Sequence, residues 1–150
     1  MLERFKSNSG HVGVVGLGYV GLPLSIAFIE AGYQVTGFDI DEEKVALLNQ
    51  GETYIRHIGA AAIAKMNASG RFSATTDFAQ SSAVDAIVIC VPTPLKNGRE
   101  PDLGPVLSTG EEIAKYLQKG QLVVLESSTY PGTTDTDLAT VLEVSGLKAN

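Results

Sequence analysis

Three glycines spaced as Gly16-x-Gly18-x-x-Gly21 follow the apolar run Val12–Val15 and precede a segment with helical periodicity. A strand, a glycine turn and a helix in this order are typical of a diphosphate-binding turn. Gly16 permits the tight turn, Gly18 leaves the backbone open to a diphosphate, and Gly21 lets the helix pack close to the sheet. The free N–H groups at the helix start would face the phosphates, and the helix dipole would add to the attraction.

A carboxylate follows at the matching distance. Asp39 ends the next apolar segment, about 20 residues after the glycines, where it could hold the hydroxyls of an adenosine ribose. The following residues Ile40–Glu43 are rich in acids and contain no arginine, so they would repel a 2′-phosphate. The pattern therefore predicts NAD rather than NADP. The alternative, a plain glycine-rich turn beside a helix-capping aspartate, does not account for the agreement of strand, spacing and acid.

Two later strand ends also carry side chains suited to a ligand site. The segment Pro92-Thr93-Pro94 would form a rigid loop, which either walls the cofactor pocket or only ends its strand. After the following strand, Ser127–Thr129 place three hydroxyls in a row, and we expect them to face the site. We expect Thr133 and Thr134 to cap the next helix through their hydroxyls.

The remaining nucleophiles and ligands are isolated in the sequence. Cys90 lies in an apolar run without a cationic neighbour, so it is interpreted as a small core residue rather than a nucleophile. His57 is expected to be a surface or packing residue, and His11 to be solvated. A serine-hydrolase pattern is missing from the sequence, and no metal-ligand spacing is present.

Composition fits one globular domain. The 150 residues are 44% hydrophobic and 19% charged, and their formal net charge of −6 argues against nucleic-acid or anionic-membrane partners. The single cysteine excludes an intrachain disulfide and a cysteine-cluster metal site, and it fits a cytoplasmic location. The first ten residues have no apolar signal core, and no apolar run has the length of a membrane span.

Alternating patterns predict an α/β fold with a Rossmann-type, doubly wound parallel sheet in the strand order 3-2-1-4-5. The predicted strands are Val12–Val15, Gln34–Phe38, Arg71–Thr75, Asp85–Val91 and Gln121–Glu126. The predicted helices are Tyr19–Ala31, Asp41–Gln50, Gly59–Ala68, Phe78–Ser82, Leu103–Lys119 and Thr134–Val144. Left-handed glycines should close helical segments at Gly32, Gly51, Gly70, Gly120 and Gly146.

Five segments together resemble the UDP-glucose/GDP-mannose dehydrogenase family over nearly the whole chain. They are Gly16–Pro23, the Asp39 strand end, Cys90–Leu95, Arg99–Leu103 and Glu126–Thr134. Their variants look most like the branch that acts on UDP-N-acetylhexosamines, and closest to UDP-N-acetylglucosamine 6-dehydrogenase-like members. The resemblance implies oxidation of a UDP-sugar C6 alcohol to a carboxylate, in two NAD-dependent steps through a cysteine-bound intermediate.

The resemblance also assigns roles to individual residues. It implies a diphosphate site at Gly16, Gly18, Tyr19, Val20 and Gly21, a ribose site at Asp39 with Lys44 nearby, and cofactor contacts at Val91, Pro92 and Thr93. It further implies that Thr129 contacts the cofactor and acts as the catalytic threonine, which positions a water or the substrate hydroxyl.

The family's catalytic cysteine, lysine, asparagine and acids would lie beyond residue 150, and Cys90 does not match its cysteine motif. We therefore expect a C-terminally truncated NAD-binding domain over residues 1–150, without the sixth strand and without the central and UDP-sugar-binding domains. Such a chain should bind NAD, fail to oxidise UDP-sugars and expose an apolar edge at Leu122–Leu125. The full-length protein is expected to be a homo-oligomer. The alternatives are the cofactor domain of a β-hydroxyacid or phosphogluconate-type dehydrogenase, and a non-catalytic NAD-sensing module.

Overall fold

The computed structural model describes residues 2–96 and 100–149 and contains a five-stranded parallel sheet with helices on both faces. The strands are β1 (His11–Val15), β2 (Gln34–Phe38), β3 (Phe72–Thr75), β4 (Ala86–Ile89) and β7 (Leu122–Leu125), with a small separate hairpin of β5 (Leu95–Lys96) and β6 (Glu100–Pro101). The α-helices are α1 (Leu2–Lys6), α2 (Gly21–Glu30), α3 (Glu42–Asn49), α4 (Ala60–Ala68), α5 (Gly104–Ala114) and α6 (Ala139–Leu142).

The strand order in the sheet is β3-β2-β1-β4-β7, which confirms the predicted order with β7 as the fifth strand. All four pairings are parallel, and Val12 of β1 lies opposite Val35 of β2 and Ala86 of β4. The central strands β1 and β4 are almost wholly buried because helices cover both of their faces. This topology brings the carboxyl ends of β1, β2, β4 and β7 to one edge of the sheet.

Successive residues of the central strands point into two different cores, as the two-residue period of a strand requires. Val14 and Val88 belong to the core under α2, α3 and α4, together with Leu22 and Leu48. Their neighbours Val15, Ile87 and Ile89 belong to the second core, with Val106 and Ile113 of α5 and with Leu138. The helices on each face therefore hold the strand ends, and the loops that leave them, in fixed positions.

Several predicted boundaries differ from the structure. Helix α2 begins at Gly21 rather than Tyr19, and α5 ends at Ala114 rather than Lys119. Pro105 lies in the first turn of α5, where its missing N–H is harmless, and Gly110 packs closely against Leu138 and Val141. Pro105 and Gly110 therefore take part in how this helix begins and packs.

The segment predicted as one α-helix over Thr134–Val144 has three helical types. A π-helical turn spans Thr134–Leu138, then come α6 and the 3₁₀ turn Glu143–Ser145. The Thr136 hydroxyl donates to the Gly132 carbonyl at 2.7 Å, and the Leu138 amide donates to Thr133. Threonine hydroxyls thus compete for carbonyls that a regular helix would use.

Other elements were predicted in part or not at all. Phe78–Ala83 is a 3₁₀ helix, and neither α1 nor the β5–β6 hairpin was predicted. Arg99, part of one resemblance motif, lies outside the described residues. The five glycines expected to close helical segments have positive φ, from +67° at Gly70 to +98° at Gly32, as predicted. Among the described helices, none has the length and apolar character needed to cross a membrane.

Candidate functional site

A cavity of about 820 Å³ opens where the carboxyl ends of the central strands meet. Its size lies within the range of ligand pockets, and its position is the one expected for a ligand of a doubly wound sheet. We call one side the glycine-turn wall, formed by Gly16, Gly18, Tyr19, Val20, Asp39, Lys44 and Tyr54. The other side is the strand-end wall, formed by Cys90, Val91, Pro92, Thr93, Glu126, Ser127 and Ser128.

The three glycines of the turn have three different surroundings. Gly16 has φ +89°, and a Cβ there would lie 2.9 Å from the Cys90 carbonyl oxygen. A Cβ on Gly21 would lie 1.9 Å from the Gly16 oxygen, so only glycine fits between helix and strand. A Cβ on Gly18 would meet no atom within 4 Å. The turn is thus close-packed at its two ends and open at its centre.

The open centre also carries unused hydrogen-bond donors. Within residues 2–96 and 100–149, the amides of Gly18, Tyr19 and Val20 donate to no acceptor, and Val20 at the N-cap of α2 supplies no side-chain cap. The carbonyls of Gly18 and Val20 accept the amides of Leu22 and Leu24, so the turn continues directly into the helix. Free amides at a helix start are suited to bind an anion.

Asp39 stands at the end of β2, is only 7% exposed and lines the same cavity. Its Oδ2 accepts the Leu17 amide at 2.9 Å, and its Oδ1 accepts the Asp41 amide at 3.1 Å. A carboxylate has about four acceptor positions, so each oxygen keeps one for a ligand. The sequence pointed to Asp39 as a ligand-binding acid, but it did not indicate that Asp39 also holds the glycine turn.

Tyr54, in the loop after α3, was not singled out by any local sequence pattern. Its hydroxyl donates to the Leu17 carbonyl, so it reaches the glycine turn across 37 positions of sequence. Burial, with the nearby carboxylates of Asp39 and Asp41, raises the pKa of the Tyr54 phenol well above its usual range. Lys44 lies over the Tyr54 ring, 5.8 Å from its centroid, and its Nζ is 3.6 Å from Asp41 Oδ2.

The strand-end wall is held by two hydroxyls that cross between its loops. The Thr93 hydroxyl donates to the Ser128 carbonyl at 2.8 Å, and the Ser127 hydroxyl donates to the Val91 carbonyl at 2.7 Å. Ser127 and Ser128 line the cavity as expected, whereas Thr129, which is half-buried, is not among its lining residues. The Pro-Thr-Pro loop is therefore a wall of the cavity as well as a strand end.

The expected hydroxyl cap of the last helical segment was wrong. Thr133 occupies the position before this segment, but its hydroxyl donates back to the Tyr130 carbonyl at 2.9 Å and caps no amide. Thr134 is the first residue of the π-helical turn and supplies no cap either. Thr133 has helical backbone angles, φ −52° and ψ −42°, rather than the extended backbone from which a capping hydroxyl reaches the helix amides.

Cys90, His57 and His11, which belong to no cluster of ligands or nucleophiles in the sequence, have different surroundings in the structure. Cys90 is half-buried and lines the cavity, and burial together with Glu126 raises the pKa of its thiol to about 11, so it is not an activated nucleophile. His57 is exposed and stacks on Tyr19 with ring centroids 5.2 Å apart. His11 is half-buried, not solvated, because its Nε2 pairs with the Thr36 hydroxyl at 2.8 Å. The described residues contain no cluster of side chains that could hold a metal.

Two known proteins are similar in sequence to most of this chain. The chain is 39% identical over 140 residues to the UDP-N-acetyl-D-glucosamine 6-dehydrogenase of Pseudomonas aeruginosa, covering 93% of this chain and 32% of that protein. It is 41% identical over 126 residues to the UDP-N-acetyl-D-mannosamine dehydrogenase of Escherichia coli (strain K12), covering 83% and 29%. The chain thus spans about a third of the length of these relatives.

Solved structures show the same fold. The GDP-mannose dehydrogenase of Pseudomonas aeruginosa, crystallised as a ternary complex, superposes with a TM-score of 0.86 at 33% identity, over 91% of this chain and 33% of that one. The NDP-N-acetyl-D-galactosaminuronic acid dehydrogenase of Methanosarcina mazei Go1 also gives 0.86, at 32% identity, over 99% and 34%. Residues 10–149 match the NAD binding domain of one family. The chain therefore belongs to the UDP-glucose/GDP-mannose dehydrogenase family, for which the cofactor is NAD.

Proposed function

We propose that the chain binds NAD in this cavity, as the cofactor domain of a dehydrogenase that oxidises a nucleotide sugar at C6. The observation that carries the proposal is the open centre of the glycine turn. Gly18 leaves space that a Cβ would fill, and it stands beside amides that have no acceptor among the described residues. A diphosphate has the negative charge and the oxygen acceptors that these amides can bind.

The adenosine end of the cofactor fits the acids of the glycine-turn wall. Asp39 keeps one free acceptor position on each oxygen, and these can accept the two ribose hydroxyls. A 2′-phosphate would approach the Asp39 carboxylate, and Lys44, which lines the same cavity, is already beside Asp41. Charge repulsion therefore favours NAD over NADP.

On the other side, Val91, Pro92 and Thr93 would flank the cofactor as a rigid surface. The Thr93 hydroxyl donates to Ser128, so toward a ligand it offers its oxygen as an acceptor. Bound NAD would accept the hydride from the substrate alcohol. Thr129 follows directly on this wall, and we assign to it the positioning of a water or the substrate hydroxyl.

The substrate that we propose for the whole protein is a UDP-N-acetylhexosamine. This proposal is supported by the relatives in sequence, which are dehydrogenases of UDP-N-acetyl-D-glucosamine and UDP-N-acetyl-D-mannosamine. Cys90 is not proposed as the nucleophile of this oxidation, because at neutral pH its thiol stays protonated. The 150-residue chain by itself should bind NAD without oxidising a UDP-sugar.

Calorimetry of the chain with NAD, NADP and a panel of UDP-sugars tests the proposal. We expect NAD to bind more tightly than NADP, and Asp39→Asn to raise the Kd for NAD about tenfold or more, since a charge-assisted hydrogen bond contributes about 1.5–3 kcal/mol. Asp85→Asn is the matched control, because Asp85 also accepts a backbone amide, that of His11, but at the far end of β1. Tighter binding of NADP, or an unchanged Kd in Asp39→Asn, would contradict the proposal.

A further inference from the structure

We propose that Tyr54 is a positioning residue for the diphosphate-binding turn. Its hydroxyl fixes the Leu17 carbonyl and thereby sets the direction of the Gly18 N–H, one of the donors offered to the cofactor. The inference rests on the proposed binding of NAD and adds to it a residue from outside the glycine motif.

Leu17 is fixed by its side chain and by both of its backbone polar groups. Its side chain is fully buried, its amide donates to Asp39 at 2.9 Å, and its carbonyl accepts the Tyr54 hydroxyl. The Gly16 amide donates to the Phe38 carbonyl at 2.8 Å, which fixes the preceding residue to β2. Hydrogen bonds therefore hold the backbone of Gly16 and Leu17 in place, up to the peptide that joins Leu17 to Gly18.

The Leu17 carbonyl and the Gly18 N–H belong to the same peptide plane, and in a trans peptide they point in opposite directions. A partner that holds the carbonyl therefore also aims the N–H. Tyr54 is the group that holds this carbonyl, and Gly18 lines the cavity with an amide that has no acceptor among the described residues. Glycine lacks a side chain that would restrict this plane, so an external hydrogen bond is the restraint available.

Tyr54 is itself fixed in place. Its ring packs against the buried core that contains the fully buried Leu48 and Ile63, and Lys44 lies over it. The next residue, Ile55, is buried at 2% exposure and anchors the loop. The raised pKa of the phenol keeps its proton on the oxygen, so Tyr54 stays a donor throughout the neutral range. A fixed donor is what an aligned carbonyl requires.

The test compares Tyr54→Phe with Tyr33→Phe. Both substitutions remove a hydroxyl that donates to a backbone carbonyl, but the Tyr33 hydroxyl binds Phe5, at 3.1 Å, in the part of the fold that carries α1. Kd values for NAD and for adenosine, together with thermal midpoints, are measured on the whole 150-residue chain. Adenosine lacks the diphosphate, so it separates alignment of the turn from general loosening of the site.

We expect Tyr54→Phe to raise the Kd for NAD about five- to tenfold and to leave the Kd for adenosine within about twofold, the range of one lost hydrogen bond. Tyr33→Phe should lower the thermal midpoint to a similar degree without changing either Kd. A wild-type Kd for NAD in Tyr54→Phe, or equal losses for NAD and adenosine, would overturn the inference alone. Failure of the wild-type chain to bind NAD would overturn the proposed function and this inference with it.

If Tyr54→Phe unfolds, the orientation of the turn is read in the wild-type chain instead. The Gly18 amide is followed by NMR during a titration with NAD and then with adenosine. We expect a large shift of the Gly18 N–H with NAD and almost none with adenosine. A Gly18 amide that responds equally to both ligands, or to neither while NAD binds, contradicts the alignment.

Discussion

The two walls of the cavity are built on opposite principles. In the glycine-turn wall, the side chains of Asp39 and Tyr54 hold both polar groups of Leu17, and the amides that follow have no acceptor in the part of the chain that the structure describes. In the strand-end wall, the hydroxyls of Thr93 and Ser127 donate their protons to carbonyls of the neighbouring loop. In the glycine-turn wall, side chains therefore hold the turn so that backbone donors face the cavity. In the strand-end wall, side chains instead bond the two loops of the wall to each other.

The contrast indicates how the two walls would divide the recognition of a dinucleotide. A charged diphosphate requires donors, which the glycine-turn wall supplies, whereas a planar ring requires a surface of fixed shape, which Pro92 and two crossed hydroxyls supply. The walls touch at Gly16, where a Cβ would lie 2.9 Å from the Cys90 oxygen. Changes at the glycine turn should therefore affect ligand binding more strongly than changes at the strand ends.

The largest effect is expected for Gly21→Ala. The new Cβ would lie 1.9 Å from the Gly16 oxygen and 3.2 Å from a Val14 methyl, so backbone must move where the two walls meet. We expect a loss of about 3 kcal/mol in the free energy of unfolding, measured in urea, and no detectable binding of NAD. Gly59→Ala is the control, since a Cβ there meets nothing within 4 Å. A variant as stable as the control would contradict the close packing.

Gly18→Ala separates binding from folding. A Cβ on Gly18 meets no protein atom within 4 Å, so the free energy of unfolding should stay within about 0.5 kcal/mol of the wild-type value. The same methyl group would occupy the space proposed for the diphosphate, and the Kd for NAD should rise at least about tenfold. An unchanged Kd, measured by calorimetry, would mean that the glycine-turn wall is not where the diphosphate binds.

The glycine-turn wall was largely predictable because its signals are local. Gly16, Gly18 and Gly21 are spaced by the geometry of one turn, and Asp39 ends the neighbouring strand at a distance that the fold itself sets. The hydrophobic runs located the strands, since buried parallel strands are apolar throughout, and the right-handed crossover rule predicted their order. What the pattern did not contain is the second partner of Leu17, because Tyr54 lies 37 positions further along the chain, beyond α3.

The strand-end wall was predictable in composition but not in connection. Pro92-Thr93-Pro94 and Ser127–Thr129 were expected near the site, yet the hydrogen bonds between them join residues 35 and 36 positions apart. Hydroxyls have many possible acceptors, so their partners depend on tertiary contacts. The error at Thr133 has a different cause, because its helical backbone angles do not present the hydroxyl to the helix amides.

Smaller effects are expected when the strand-end wall loses its crossed hydroxyls. Ser127→Ala should lower the free energy of unfolding by about 1 kcal/mol, and Thr93→Val by about 0.5 kcal/mol, because the Thr93 hydrogen bond is the more exposed of the two. Each substitution should raise the Kd for NAD only about two- to threefold, which is less than the rise expected for Gly18→Ala. Ser82→Ala removes a comparable bond to Ala79 outside the cavity and serves as control. A loss as large as that of Gly18→Ala would show that these hydroxyls bind the cofactor directly, and the contrast between the walls would fail.

The smallest effect is expected at His11, the first residue of β1, one strand length from both walls. Burial lowers its pKa below the ordinary value of 6.5, and the Arg4 charge adds to this effect while Asp85 opposes it. The unfolded chain then binds more protons than the folded chain, so His11 stabilises the fold above about pH 6.5, and this contribution is lost as the pH falls through the lowered pKa. Urea unfolding between about pH 5 and 7.5 should therefore show a flatter pH dependence for His11→Gln than for the wild-type chain, with the same Kd for NAD at pH 7.5. Stability curves with the same slope would show that His11 does not cause the pH dependence. A changed Kd for NAD would show that residues at the amino ends of the strands affect binding in the cavity, so that the two walls do not determine it alone.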